Sequence, residues 1–259
     1  MQDVEIKQAY FSSAIKHFAS DFYKLWDVQP YSDKTAPAIF FGCYNDNDVE
    51  AINNHKTFKV LAHTGRMLPR ILKIKNENIV LKLSPVILNE HKTNPNDWTR
   101  YYCENGFRTK YAMFPIKDFS MFRPNKLGRC IYFYAGSKAR KQLLGWKLAK
   151  YIEQSTRFKV IFGMLGNSID YVKENYYDHC FVNFKPSTTA GMTTAIELAY
   201  MGRLTISNSP GMFCRHYGNI TEVLQIIEQE SKKIGTIQPS MIGKYYDTGA
   251  EWKQVDFWT

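Results

Sequence analysis

The sequence lacks the cysteine patterns and the long apolar runs that would assign it to several common classes. Its five cysteines form neither a CxxC pair nor a Cys/His ligand spacing, which argues against a disulfide framework and a zinc module. No stretch approaches the roughly 18 uninterrupted apolar residues of a membrane-spanning helix, and the first residues contain no basic segment followed by an apolar run. We therefore expect a soluble, unprocessed protein of the reducing cytoplasm.

Two fingerprints of nucleotide-binding loops are also missing. No predicted strand is followed by GxGxxG, which disfavours a nicotinamide-dependent dehydrogenase or epimerase, and the chain has no GxxxxGK[ST] loop. We recognise no cluster of metal ligands and predict no obligatory metal and no other cofactor. The sequence also has no internal repeat and no low-complexity segment.

What is present is an ordinary globular composition with a surplus of aromatic rings and of positive charge. The 259 residues are 44% hydrophobic and 15% aromatic and carry a formal net charge of +10, which excludes disorder, collagen and coiled coil. At roughly 100 to 200 residues per domain, the length predicts two domains, residues 1–125 and 126–259. The basic residues are densest over 138–159, where they form either a phosphate-facing surface or an ordinary solvated helix face.

Short apolar runs alternate with amphipathic segments along most of the chain. The predicted strands cover 38–44, 58–65, 78–88, 129–136, 157–165, 179–186 and 203–208. The predicted helices cover 5–26, 45–56, 139–155, 168–177, 192–202 and 220–235. Strands that alternate with helices require right-handed crossovers and parallel sheets. We therefore predict an α/β fold with two Rossmann-like, doubly wound domains that face each other across a cleft.

The first candidate site lies at the carboxyl end of a predicted strand, where open parallel sheets bind their ligands. The strand over 129–136 ends at Gly136 and is followed by Lys138, Arg140 and Lys141 at the start of a helix. Backbone N–H groups, the positive end of a helix and cationic side chains converge in such a loop. It is either a diphosphate-binding loop or a basic turn that faces water.

A second candidate site follows the strand that ends at Lys185. Small hydroxyl residues and a glycine lead into the next helix, and Glu197 lies one turn further in. The glycine lets the backbone approach a ligand, the helix start suits an anion, and a carboxylate can accept two hydrogen bonds from a ribose diol. As structure alone, these residues form a loop, an N-cap and a surface acid. The candidate binding residues are Ser187, Thr188, Gly191, Thr193, Thr194 and Glu197.

The segment TTAIELAYMGR, followed by the short strand TISN, resembles the donor half of glycosyltransferases of the GT-B fold. In that family a helix reading E-A-small-A-x-G-x-P lies beneath the nucleotide sugar. The resemblance implies that Glu197 holds the ribose and that the backbone of residues 191–194 binds the diphosphate. The cation that neutralises the leaving phosphates would be Lys138, Arg140 or Lys141. Arg203 and Leu204 stand where the family has a small residue and a proline.

The amino-terminal half resembles, less specifically, small viral and phage glycosyltransferases of the same fold. This resemblance rests on FFGCYNDNDVEAINNHK, on FKVLAHTGR and on the closing segment YYDTGAEWKQVDFW. It implies an acceptor-side domain over 1–125 and a nucleotide-sugar-binding domain over 126–259. The C-terminal segment would pack back onto the body of the protein through Trp252, Phe257 and Trp258.

An inverting enzyme of this kind needs a base on the acceptor side, whereas a retaining enzyme relies on the leaving phosphate itself. The candidate catalytic residues are Asp46, Asp48 and His63, each at the carboxyl end of a predicted strand. Asp46 can equally be a helix cap, and a lone histidine such as His63 is more often a structural residue.

The resemblance implies transfer of a sugar from a nucleoside diphosphate sugar to a hydroxyl. One acceptor that fits is hydroxymethylcytosine in phage DNA, because a pI near 9.2 and abundant aromatic residues suit double-stranded DNA from which a modified pyrimidine is extruded. A viral enzyme of this kind would act in the host cytoplasm. A glycan or a small molecule is the alternative acceptor, and a non-catalytic DNA-binding α/β protein is the second alternative. The sequence indicates no oligomeric state.

Overall fold

A computed structural model describes residues 4–62, 70, 72–74, 79–81, 107–109, 115–186, 192–208, 214–242 and 250–257. The chain divides into two compact units. The first unit comprises Met1–Asp118 together with Tyr245–Thr259, and the second unit comprises Phe119–Lys244. The structural division therefore lies a little before the boundary predicted between residues 125 and 126, and it assigns the C-terminal segment to the first unit.

The first unit contains a parallel sheet. Its strands are β1 (Gln8–Phe11), β2 (Gln29–Pro30), β3 (Ala38–Phe41), β4 (Lys59–Ala62), β5 (Ile79–Leu81) and β6 (Arg108–Thr109). Their order across the sheet is β2-β1-β3-β4-β5-β6, and every described pair is parallel. All four residues of β3 and of β4 are buried, as expected for apolar strands that are covered on both faces.

One element of the first unit differs from the sequence prediction. A single helix was expected over 5–26, but the chain forms β1, then a 3₁₀ turn over Ser13–Phe18, and only then α1 (Ala19–Trp26). The physical reason is tertiary packing, because the Phe11 ring stacks on Phe41 of β3 with centroids 4.4 Å apart. The stacked rings hold β1 in register beside β3, which helical spacing alone does not reveal.

The second helix of the first unit, α2 (Asp46–Asn54), begins one residue later and ends two residues earlier than the predicted range of 45–56. Asn45 is its N-cap, and its side chain accepts a hydrogen bond from the Asp48 backbone while the Asp48 side chain accepts one from the Asn45 backbone. This reciprocal capping box satisfies two N–H groups at the helix start. Asp46, the predicted cap, is the first helical residue instead.

The C-terminal segment packs on the first unit, as predicted for its aromatic residues. Trp252 is fully buried and lies against Phe22 and Trp26 of α1. The segment forms short 3₁₀ turns over Glu251–Lys253 and Val255–Phe257, and the Lys253 carbonyl accepts a 2.6 Å hydrogen bond from the backbone of Ile6. Trp258 lies outside the described residues.

The second unit contains another parallel sheet. Its strands are β7 (Cys130–Gly136), β8 (Val160–Met164), β9 (Cys180–Lys185), β10 (Leu204–Ser207) and β11 (Cys214–His216), in the order β11-β10-β9-β7-β8. The four predicted strands are confirmed, whereas β11 was not predicted. Numbered from β7, this order is 2-1-3-4-5, so the direction of winding reverses between β7 and β9. The mixed α/β class with two parallel sheets is thus confirmed.

The helices of the second unit are α3 (Trp146–Ser155), α4 (Ile169–Val172), α5 (Met192–Tyr200) and α6 (Ile220–Ser231), and a π-helical turn over Lys173–Tyr177 extends α4. Buried side chains of α3 and α6 pack on the apolar face of the sheet, which includes Ile131, Phe133 and Phe184. The predicted helix over 139–155 begins seven residues late, at Trp146. Gly145 before it has a φ of +95°, and a side chain there would overlap the Pro186 ring.

Candidate functional site

One face of the second sheet is polar near the carboxyl ends of its strands. Asn183 of β9 is in register with Thr205 of β10, and two residues later Lys185 is in register with Ser207. Because alternate residues of a strand point to the same side, these four side chains share one face. All four are buried, and the Asn183 amide donates a 3.1 Å hydrogen bond to the Thr205 hydroxyl. Polar groups therefore line this face directly beside the reversal of strand order.

Lys185 places a cationic side chain at the carboxyl end of β9. It is only 6% exposed, and burial lowers the pKa of its ammonium group below the ordinary value. The nearby Cys214 thiol has its pKa raised to about 11 by burial, an effect that the charge of Lys185 opposes. A buried lysine at a strand end is costly and typical of functional or tightly structured sites. Lys185 is not among the site residues predicted from the sequence, although a lysine that ends an otherwise apolar strand was a usable signal.

Glu197 lies on α5, and its carboxylate accepts a hydrogen bond from a buried tyrosine. The Tyr177 hydroxyl donates a 2.6 Å hydrogen bond to Oε2 of Glu197, and the Thr194 side chain also bonds to Tyr177. Burial, followed by the charge of Glu197, raises the pKa of the Tyr177 phenol well above its ordinary value. Glu197 is 4% exposed, so it is not the surface acid of the structural alternative. Its contact with a ribose stays a prediction.

The turn after β7 differs in detail from the predicted anion loop. Gly136 has a left-handed conformation, with a φ of +67°. The Ser137 carbonyl accepts hydrogen bonds from the backbone N–H groups of both Arg140 and Lys141, each at 3.0 Å. These two amides are therefore already used within the turn and do not form the open start of a helix. The exposed cations are Lys138 and Arg140, whereas Lys141 lies over the Trp146 ring at 4.6 Å.

The turn after β7 and the end of β9 meet at one point. Gly145, directly before α3, lies against Pro186, which follows Lys185. Thr193 and Thr194 lie in the first turn of α5. The segments that follow β7 and β9 thus approach each other at the place where the strand order reverses. Ser187, Thr188 and Gly191 lie outside the described residues.

In the first unit, Asp48 acts as a capping residue. It is fully buried and accepts hydrogen bonds from the Tyr10 and Ser12 hydroxyls, both at 2.7 Å, and from the backbone N–H groups of Tyr44 and Asn45. Burial, followed by the hydrogen bond to Asp48, raises the pKa of the Tyr10 phenol far above its ordinary value. Four donors saturate this carboxylate, which explains its presence without a role as a base.

Asp46, by contrast, is exposed. Its carboxylate lies 3.0 Å from the Lys73 ammonium group and 4.0 Å from the Arg70 guanidinium group. The hydrogen bond from Lys73 and its charge lower the pKa of Asp46, which makes this carboxylate a weaker base. His63, the third candidate base, lies outside the described residues.

Asp46 and Asp48 are separated by one residue, a spacing that can hold a divalent cation. The four donors to Asp48 leave its oxygens no place in such a site. Within the described ranges, no three His, Cys, Asp or Glu side chains are grouped so that they could hold a metal ion. The same part of the chain contains no helix that is both long and apolar enough to cross a bilayer.

Comparison with known proteins leaves the family open. No family model and no curated protein matches the chain. Among solved structures, the chain is similar to the Glycosylation Associate Protein (Gap123) complex from Streptococcus agalactiae, with a TM-score of 0.41 and 13% sequence identity. The similarity covers 78% of this chain and 49% of the other, so the chain spans about half the length of that protein.

Proposed function

We propose that this chain is a glycosyltransferase of the GT-B type that transfers a sugar from a nucleoside diphosphate sugar to a hydroxyl acceptor. The observation that carries the proposal is the position of Lys185. It is a buried cation at the carboxyl end of β9, at the reversal of strand order, where open α/β sheets bind their ligands. The resemblance of the α5 segment to the donor half of GT-B enzymes supports the same site.

In this proposal the phosphates of the donor lie between the turn after β7 and the end of β9. Lys185, with Lys138 and Arg140, would stabilise the negative charge that develops on the leaving diphosphate, as preorganised cations do. Gly136 would allow close approach of the backbone, and Glu197 would accept hydrogen bonds from the ribose. The first turn of α5, with Thr193 and Thr194, and the residues Ser187, Thr188 and Gly191 would complete the donor site. No obligatory metal is proposed.

The first unit would supply the acceptor side, in the two-domain arrangement that GT-B enzymes share. Because Asp48 is saturated by four donors, Asp46 and His63 are the remaining candidates for an acceptor base. Hydroxymethylcytosine in phage DNA is the proposed acceptor, supported by the net charge of +10 and the 15% of aromatic residues. Such an enzyme would act in the cytoplasm of an infected host. A glycan or a small molecule is the alternative acceptor.

The proposal is tested by thermal unfolding in the presence of UDP, GDP, ADP and their sugar conjugates. A ligand that binds only the folded protein raises the midpoint, by an amount equivalent to about 2.7 kcal/mol at a hundredfold excess over Kd. We expect one nucleoside diphosphate to raise the midpoint of the wild type, and Lys185→Met to abolish that rise. Glu197→Gln should reduce it.

The matched control is Lys59→Met, which removes an equally buried lysine from the first unit. This variant should lose stability but keep the full ligand-induced rise. If no diphosphate and no nucleotide sugar changes the wild-type midpoint, the proposal is wrong. Binding of duplex DNA with a strong salt dependence would then favour the non-catalytic alternative.

A further inference from the structure

Two leucines at the carboxyl edge of the second sheet lie almost entirely in solvent. Leu143 is 77% exposed in the turn before α3, and Leu165 is 71% exposed directly after β8. The Leu165 N–H donates a 2.8 Å hydrogen bond to the Gly136 carbonyl, and the side chain of Leu144, the neighbour of Leu143, lies against the same glycine. Both exposed leucines are thus placed at the end of β7.

Two more exposed apolar side chains follow Leu165 in the chain. Ile169 and Tyr171, in the helix that follows Leu165, are 36% and 47% exposed. A single exposed leucine is ordinary, but several exposed apolar side chains from neighbouring turns mark an interaction surface. Leu143 and Leu165 are also the two most exposed large apolar residues of the described chain.

The same turn is strongly basic. Lys138, Arg140 and Lys141 stand before Leu143, and residues 137–152 contain no acidic residue. Exposed leucines flanked by cations form an amphipathic basic surface, which we call the leucine-lysine edge and define as Lys138, Arg140, Lys141, Leu143 and Leu165. Such a surface needs a partner that offers both negative charge and an apolar interior.

We propose that the leucine-lysine edge binds the surface of an anionic lipid bilayer. The leucines would enter the boundary between headgroups and acyl chains, while the cations contact lipid phosphates. Nucleic acid would use the cations but leave the leucines in water. A second copy of the chain, paired through the same surface, would bring like charges together. Of these three partners, the bilayer satisfies both parts of the surface. Lys138 and Arg140 are shared with the proposed donor site, so the two leucines, which are not part of that site, distinguish bilayer binding from donor binding.

Co-sedimentation with large vesicles tests the inference. We expect the wild type to bind vesicles of phosphatidylcholine mixed with phosphatidylglycerol and not vesicles of phosphatidylcholine alone. The double variant Leu143→Ser/Leu165→Ser should lose at least about tenfold in partition coefficient, because each leucine contributes apolar transfer energy on insertion. Both positions are exposed, so circular dichroism and the unfolding midpoint should match those of the wild type.

The matched control is Ile237→Ser, which removes a side chain that is 60% exposed. Ile237 forms a bridge with Lys126, before the start of β7 and therefore at the opposite edge of the same unit. This variant should bind anionic vesicles as the wild type does.

Three results would overturn the inference. The first is that the wild type fails to bind anionic vesicles. The second is that the double leucine variant binds them as well as the wild type, which would mean adsorption by charge alone. The third result is a lipid-free dimer, seen by sedimentation velocity, that dissociates in the double leucine variant. Such a dimer would assign the leucines to contact between copies.

Discussion

The hydroxyl of Tyr177 donates a 2.6 Å hydrogen bond to Oε2 of Glu197, and both side chains are buried beside the sheet of the second unit. Tyr177 ends the π-helical turn Lys173–Tyr177, a type of turn that occurs frequently at functional sites. Burial and the nearby Glu197 raise the pKa of the phenol well above its ordinary value, which favours the protonated form of Tyr177 that donates this bond. The bond fixes the carboxylate that the proposed function assigns to the ribose.

Replacing Tyr177 by phenylalanine should destabilise the second unit by about 1 to 3 kcal/mol, because the buried carboxylate of Glu197 loses a donor. Urea unfolding measures this cost. The neighbouring Tyr176 is the control, since its hydroxyl accepts a hydrogen bond from Asn167 in a partly exposed place, and Tyr176→Phe should cost no more than about 0.5 kcal/mol. Equal costs for the two variants would show that the bond to Glu197 contributes little.

Arg203 is fully buried and binds backbone carbonyls at the base of α5. Its guanidinium group donates to the carbonyls of Met201 at 2.6 Å, Tyr177 and Lys126 at 3.1 Å, and Cys180 at 3.2 Å. Lysine has a single ammonium group and cannot reproduce this fork of donors. Arg203→Lys should therefore lower the free energy of unfolding by about 2 to 4 kcal/mol, measured by urea denaturation.

The control for this prediction is Arg215→Lys. Arg215 is exposed on β11 and donates a 2.9 Å hydrogen bond to Gln229, so the change should stay within about 0.5 kcal/mol. An Arg203→Lys variant as stable as the wild type would mean that the buried lysine finds its own partners.

Arg203 also shows how far the fold could be predicted from the sequence. In the GT-B family, a small residue and a proline stand at the positions of Arg203 and Leu204. The structure shows why an arginine fits here, because backbone carbonyls from several segments accept hydrogen bonds from Arg203. The strands β7 and β9 were predictable because they are apolar runs with clear ends. By contrast, β1 depends on the stacking of Phe11 on Phe41, a contact that no local pattern reveals.

The candidate site residues likewise divide into those that a local sequence pattern predicts and those whose role depends on contacts in the fold. The left-handed conformation of Gly136 was predictable, because a glycine between an apolar strand and a basic turn is typical of a backbone position with positive φ. Whether Asp48 is a base or a cap depends on four donors from distant and neighbouring positions, which one sequence cannot show. The lysine at the end of β9 was a usable signal in the sequence, but the register that places Lys185 beside Ser207 exists only in the folded sheet.

Removing the Asp48 carboxylate should lower the free energy of unfolding of the first unit. In Asp48→Ala, the Tyr10 and Ser12 hydroxyls and two backbone N–H groups lose their acceptor, which we expect to cost about 2 to 4 kcal/mol. The exposed neighbour Asp46 provides the control, because Asp46→Ala breaks only surface ion pairs and should cost under about 1 kcal/mol. Unfolding in urea, followed by tyrosine and tryptophan fluorescence, distinguishes the two. A normal midpoint for Asp48→Ala would contradict the structural role.

Lys59 makes the stability of the first unit depend on pH in the alkaline range. Its side chain is fully buried and donates to the carbonyls of Ile52 and His55, at 2.7 and 3.1 Å. Burial lowers the pKa of this ammonium group from 10.5 to about 8. At a pH between these two values, Lys59 is protonated in the unfolded chain and neutral in the folded chain. The unfolded state therefore binds more protons, and the contribution of Lys59 to stability rises with pH.

The slope is at most about 1.4 kcal/mol per pH unit inside this window and zero below it, where both states are protonated. Tyrosines and cysteines also titrate there, so the quantity to measure is the difference in unfolding free energy between the wild type and Lys59→Met. That difference should shift in favour of the wild type as the pH rises from about 8 to about 10. Lys56→Met, at an exposed position, is the control for the loss of a lysine side chain. A flat difference for Lys59→Met would place the pKa of Lys59 at its ordinary value.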